Sequence, residues 1–101
     1  MSLRLIANWK LNGSRLLNEE WLKEFNKDYQ GSKTSSLGIA PPSIFINEMV
    51  RHPDNQAIAI GSQNIDYLTS GARTGEISPA MVKDSGGLFS IIGHSERRIF
   101  F

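Results

Sequence analysis

Apolar residues along this chain come in two rhythms. Residues 3–8, Leu37-Gly38-Ile39-Ala40, Ala57-Ile58-Ala59-Ile60 and Leu88-Phe89-Ser90-Ile91-Ile92 are short, nearly continuous apolar runs closed by polar or turn residues. Such runs predict four strands with both faces covered. From about Ser14 to Tyr29 the rhythm changes. Leu17, Trp21, Phe25 and Tyr29 recur every four residues, with Leu22 beside them and Glu19, Glu20, Lys23, Glu24 and Lys27 on the remaining surface. This spacing predicts an amphipathic helix with the aromatic stripe facing the core, and Gly31 is placed to end it.

Turn residues divide the rest. Asn12-Gly13 follows the first strand, and Pro41-Pro42 stops the second. Ser43 is suited to cap a short helix through about Val50 or Arg51, which Pro53 keeps from extending. The third strand ends at Gly61-Ser62-Gln63-Asn64, and a polar loop runs from Asp66 to Ile77. Ser78-Pro79 reads as an N-cap followed by a first-turn proline, Ile77 and Val82 have hydrophobic-staple spacing, and Gly86-Gly87 closes that helix. The predicted order is βαβαβαβ. Strands that alternate with helices form a parallel sheet, because parallel neighbours need a crossover. Periodicity leaves an open doubly wound sheet and part of an α/β barrel as alternatives. No linker divides residues 1–101. The glycine-rich dinucleotide loop is missing, because the first strand runs into Asn8-Trp9-Lys10.

Composition narrows the function classes. The 101 residues include 11 basic and 10 acidic side chains, which argues against a broad nucleic-acid-binding face. There is no cysteine, so neither disulfides nor thiolate metal sites are open to the chain. No apolar run approaches the ~20 residues of a membrane span, and the first residues lack the apolar core of a signal peptide. The expected setting is cytoplasmic.

The candidate chemistry sits at strand ends. Asn8 and Lys10 close the first strand. Gly93-His94-Ser95-Glu96-Arg97-Arg98 closes the fourth. Active sites of α/β proteins collect at the carboxyl ends of strands. Lys10 suits an anionic ligand, Asn8 a carbonyl or hydroxyl, and His94 a proton donor or a satisfied structural histidine. A metal role for His94 lacks support, since the only other histidine, His52, lies in a connector beside Pro53. Gly93-His94-Ser95-Glu96-Arg97 begins like a nucleophile elbow, but Arg97 replaces the second glycine, so Ser95 reads as a hydrogen-bonding hydroxyl. Glu96 is either part of a solvated turn or the carboxylate that fixes Lys10.

Asn8-Trp9-Lys10-Leu11-Asn12-Gly13, Ala40-Pro41-Pro42, Gln63-Asn64, Gly71-Ala72-Arg73-Thr74-Gly75-Glu76-Ile77-Ser78 and Gly93-His94-Ser95-Glu96-Arg97-Arg98 together resemble the triosephosphate isomerase family, in its order and at compatible spacings. Leu11 stands where the family often has methionine, and Arg73 where an aromatic is common. The resemblance implies the N-terminal half of a single eight-stranded α/β barrel. It also implies interconversion of dihydroxyacetone phosphate and glyceraldehyde 3-phosphate in glycolysis and gluconeogenesis, with no cofactor or metal. By the same resemblance Lys10 and His94 are catalytic, Asn8 and Lys10 bind substrate, and Ser95 and Glu96 support them. Asn12, Gly13, Thr74 and Arg97 are expected at a homodimer interface, with no nucleic acid or membrane partner. The family's glutamate base and closing loop have no counterpart motif here, and a full barrel takes about 250 residues. The 101-residue chain alone is therefore expected to be inactive. The alternatives are an enzyme completed by further residues or another chain, and a self-associating half-barrel.

Overall fold

The computed structural model describes residues 3–29, 35–55 and 57–101. The elements are β1 (Leu3–Asn8), α1 (Arg15–Asp28), β2 (Ser35–Ala40), a 3-10 turn (Ser43–Phe45), α2 (Ile46–Arg51), β3 (Ile58–Ile60), α3 (Pro79–Asp84) and α4 (Ser95–Phe100). The strands form one parallel sheet in the order β1-β2-β3. β1 and β2 pair in step, from Leu3 opposite Ser35 to Asn8 opposite Ala40. Strand, helix and parallel strand thus succeed one another as the alternating rhythms predict.

The fourth predicted strand is reduced to an extended segment. A single parallel bridge joins Ser62 to Ser90, held by Ser62 N–H to Phe89 O at 3.0 Å and Ile91 N–H to Ser62 O at 2.9 Å. The segment lies beside β3 in the right sense, with Leu88 N–H also donating to Ile60 O at 2.8 Å, but β3 itself is only three residues long. Phe89 explains two glycines. A Cβ on Gly38 would come within 2.9 Å of its ring, and one on Gly61 within 2.5 Å of its carbonyl oxygen. Gly38 and Ile39 point to opposite faces by strand alternation, so Phe89 covers the face away from the helices.

On the helical face Leu22 of α1, Ile39 of β2, Ile46 and Met49 of α2 and Ile60 of β3 form the buried core. Burial of each such side chain contributes about 1.5–3 kcal/mol. Asn55 ties α2 to β3, its amide donating to Met49 O at 2.9 Å and its oxygen accepting from Ile58 N–H at 3.0 Å.

Caps follow the local chemistry in two of three places. Ser14 accepts from Leu17 N–H, and Ser78 from Met81 N–H ahead of Pro79. Ser43 is not a cap: it lies inside the 3-10 turn, whose leading residue, Pro42, makes no side-chain capping bond. Ser95–Phe100 is helical, with His94 as its cap, so Glu96 lies on a helix and not in the solvated turn that is one of its two readings. Gly31 falls outside the described residues.

Two burial expectations fail. The i, i+4 stripe of α1 does not face the core: Leu17 is 59% and Trp21 37% exposed, and the buried positions are Asn18 and Leu22. Trp21, Phe25 and Tyr29 instead stack along the helix with centroids 4.9 Å apart at each step. β1 is likewise open on both faces, since neighbouring Leu5 and Ile6 are 50% and 53% exposed. The cause is topological. β1 has β2 on one side and, among the described residues, no strand on the other.

Candidate functional site

The site is built on strand ends. Beyond β1 the ladder runs one residue further, with Trp9 N–H donating to Ala40 O at 3.0 Å. The chain then turns sharply. The Asn8 side-chain oxygen accepts the Lys10 N–H at 2.9 Å, and the Asn12 amide donates to Trp9 O at 2.9 Å. Lys10 has φ 58, the one positive value at a described non-glycine residue. A left-handed lysine costs roughly 1–3 kcal/mol and persists only where its surroundings impose it.

Gln63 imposes it. Its Nε2 donates to Lys10 O at 2.8 Å and to Ala40 O at 2.9 Å, binding the ends of β1 and β2 from beyond β3. Gln63 lies in a quoted motif, yet sequence reading assigned it no role. The available signal was its position, a polar side chain just past an apolar strand, as Asn8 and His94 are.

The extended segment 88–92 delivers His94 to the same rim. His94 is the cap of α4, and its Nδ1 accepts the Glu96 N–H at 3.1 Å. An accepting Nδ1 carries no proton, which leaves Nε2–H as the donor of a neutral ring. The 3.6 Å approach of Glu96 Oε1 to Nδ1 is therefore proximity and not an ion pair. Glu96 Oε1 pairs instead with Lys10 Nζ at 2.9 Å. That oxygen is covered although the side chain is half-exposed, and the approach lacks good hydrogen-bond direction. The Lys10 ammonium holds the Glu96 carboxyl below the usual carboxylate range, against the opposing effect of desolvation. The structure thus brings Asn8, Lys10, His94 and Glu96 to one rim. Ser95 opens α4 on the exposed side.

Gly13 has φ 129 and abuts Asn18 and Phe45. Thr74 and Gly75 form the exposed tip of the 66–77 loop. Sequence reading missed what anchors that loop. Asp66, 6% exposed, receives Leu68 N–H at 2.9 Å and pairs with Arg73 Nε at 2.7 Å, while the Arg73 guanidinium also lies 5.8 Å from the Tyr67 ring centroid. Arg97 packs over Phe101 at 4.7 Å. His52 Nδ1 accepts Asp54 N–H at 3.1 Å in its own connector. Among the described residues no cluster of three His, Cys, Asp or Glu side chains is placed to hold a metal. No described helix is long and apolar enough to cross a membrane.

Parallel strands alternating with helices, with Asn8, Lys10 and His94 gathered beyond their carboxyl ends, define part of an α/β barrel. The family description "Triosephosphate isomerase" matches residues 3–101. The chain belongs to the triosephosphate isomerase family. It is 44% identical over 96 residues to the triosephosphate isomerases of Escherichia coli O1:K1 / APEC and Shigella boydii serotype 18 (strain CDC 3083-94 / BS512). These alignments cover 95% of this chain and 38% of each relative, so the chain spans well under half the length of the curated relatives it matches.

Proposed function

We propose that this chain supplies the Lys10–His94 side of a triosephosphate isomerase site, which interconverts dihydroxyacetone phosphate and glyceraldehyde 3-phosphate once the barrel is complete. The observation that carries the reading is the Lys10–Glu96–His94 group on one rim, in a chain matched by the family from residue 3 to residue 101. Isomerisation moves a proton between adjacent carbons and places negative charge on oxygen in an enediolate. The Lys10 ammonium offsets that charge and the charge of the phosphate. The neutral His94 Nε2–H donates to the developing oxyanion. Donors fixed in advance stabilise such a transition state without reorganising. Asn8 holds the turn that aims Lys10. Glu96 is a poor base, because Lys10 keeps it ionised and engaged. The carbon proton must go to a carboxylate from beyond residues 1–101. No cofactor or metal enters this reaction, and the setting is cytoplasmic.

In the complete enzyme the Thr74 loop, with Asn12, Gly13 and Arg97, contacts a second subunit in an isologous homodimer. Light scattering of that enzyme across concentration should report two subunits, and a monomer at micromolar concentration would undo this part of the reading.

The test of function uses two proteins, the 101-residue chain and a chimera in which it is continued by the unmatched C-terminal part of an Escherichia coli relative. The chain alone should give no turnover of triose phosphates. The folded chimera should turn over, and Lys10→Ala or His94→Gln should lower kcat/KM by about 100-fold or more. Turnover by the chain alone, or a chimera indifferent to both substitutions, would overturn the reading.

A further inference from the structure

Lys10 is held at both ends of its backbone and at the tip of its side chain. Its N–H donates to Asn8 Oδ1 at 2.9 Å. Its carbonyl oxygen accepts from Gln63 Nε2 at 2.8 Å, and its Nζ pairs with Glu96 Oε1 at 2.9 Å. The peptide planes on either side of Lys10 are thus both fixed, and two fixed planes set the φ and ψ between them. The result is φ 58, a region that a lysine occupies only where its surroundings over-determine it. Such outliers gather at functional sites.

The direction matters because the lysine side chain is long and half-exposed. Its stem has many rotamers, and an exposed ion pair alone restrains them weakly. The Cα–Cβ bond sets where the stem starts. With its carbonyl released, Lys10 would be free to relax to a negative φ, a rotation of more than about 100° about N–Cα. The stem would then leave the backbone in another direction, and the ammonium would lose its place against Glu96.

Gln63 suits this task by its chemistry. A primary amide nitrogen carries two hydrogens. Here it donates both to Lys10 O and to Ala40 O, the latter at 2.9 Å. Ala40 is fully buried at the end of β2, and its carbonyl also takes the Trp9 N–H. The amide therefore ties Lys10 to a fixed point of the sheet and not to a loop. Glutamate would bring only acceptors to these carbonyls, methionine no donor, and asparagine a reach one methylene shorter.

We propose that Gln63 is a positioning residue for the reaction: by pinning the Lys10 carbonyl to the end of β2, it aims the Lys10 ammonium at the oxygens on which charge develops. The proposal rests on the isomerase reading above. Gln63 acts through Lys10 and need not touch substrate. A misplacement of about 1 Å in a reacting group can cost about 100-fold in rate, so a residue two bonds removed from the charge still has a kinetic signature.

The test uses the chimera with the Escherichia coli C-terminal part. Gln63→Met nearly keeps the volume and removes both donors. It should lower kcat/KM about tenfold or more. With Lys10→Ala already present, adding Gln63→Met should lower kcat/KM by less than about twofold, because no ammonium remains to be aimed. Asn55→Ala controls for stability. It also removes two hydrogen bonds, one to Met49 O and one from Ile58 N–H, but at the opposite end of β3. It should leave kcat/KM within about twofold of the parent. Hydrogen exchange at the Lys10 amide should quicken in Gln63→Met and not in Asn55→Ala. If Gln63→Met does not fold, Gln63→Asn takes its place with the same expectations. Equal losses in the two Lys10 backgrounds, or unchanged kcat/KM in a folded Gln63 variant, would overturn the proposal. Either result leaves the isomerase reading standing where Lys10→Ala itself costs activity, whereas a Lys10→Ala chimera of full activity would strike that reading first.

Discussion

The Gln63 side chain donates one amide to the carbonyl oxygens of both Lys10 and Ala40, at 2.8 and 2.9 Å. A residue beyond β3 thereby fixes the backbone of the cation at the end of β1. Lys10 adopts φ 58 because its carbonyl is held by Gln63 and its N–H by Asn8. Gln63→Ala should lower stability by about 1–3 kcal/mol, measured by urea unfolding, because two hydrogen bonds are lost, one at Lys10 O and one at Ala40 O, which keeps only the Trp9 N–H. In the same background Lys10→Gly should recover part of the loss, because glycine takes a positive φ without strain. No recovery would mean that the strain at Lys10 is not what Gln63 opposes.

Phe89 meets Gly38 and Gly61 in different ways, and that difference is testable. A Cβ on Gly38 would meet only the ring and, at 3.5 Å, the Ala59 oxygen, whereas one on Gly61 would meet the Phe89 carbonyl oxygen at 2.5 Å as well as the ring at 2.6 Å. Gly38→Ala and Gly61→Ala should each cost about 1–3 kcal/mol by overpacking. Adding Phe89→Leu should relieve Gly38→Ala in a double-mutant cycle but leave most of the cost of Gly61→Ala, because a backbone atom cannot be trimmed.

Asn18 is 2% exposed, and neither its amide nitrogen nor its oxygen has a hydrogen-bond partner. It lies against Gly13 and on the buried side of α1 beside Leu22. Burial of an unpaired amide costs about 1–3 kcal/mol. Asn18→Leu should therefore raise the midpoint of unfolding, and a lower midpoint would show that the amide binds an internal water or another polar group.

Asp66 gives the 66–77 loop an acid limit. The Leu68 N–H and then the Arg73 guanidinium hold its carboxyl below the usual carboxylate range, outweighing burial. A carboxylate whose pKa is lower folded than unfolded stabilises the fold above its unfolded pKa, about 3.9, and that contribution is lost as pH falls through the folded value. Hydrogen exchange at the Asp66 amide, which donates to Ile77 O at 2.8 Å, should show protection that is steady above about pH 5 and declines only below about pH 4. Asp66→Asn should reduce protection at neutral pH and flatten its acid dependence. A decline already complete by pH 5 would contradict the lowered pKa.

Local chemistry made much of this chain legible. Ser14 and Ser78 precede helices and cap them, Pro79 fits the first turn, and strands β1, β2 and β3 follow short apolar runs. The strand-end positions of Asn8, Lys10 and His94 could be read for the same reason, since a polar residue after an apolar run emerges where the strand leaves the core. Other features depend on elements distant in sequence. Asn8 fixes the Lys10 N–H locally, but the φ of 58 also depends on Gln63, 53 residues away, which holds the Lys10 carbonyl. Nothing near Gly38 specifies glycine; the Phe89 ring does. The aromatic stripe of α1 has the spacing of a buried face, yet it lies along a sheet edge where, among the described residues, β1 has one neighbour strand. Periodicity records which side of an element is apolar. Which atoms cover that side is decided only when the strands take their order in the sheet.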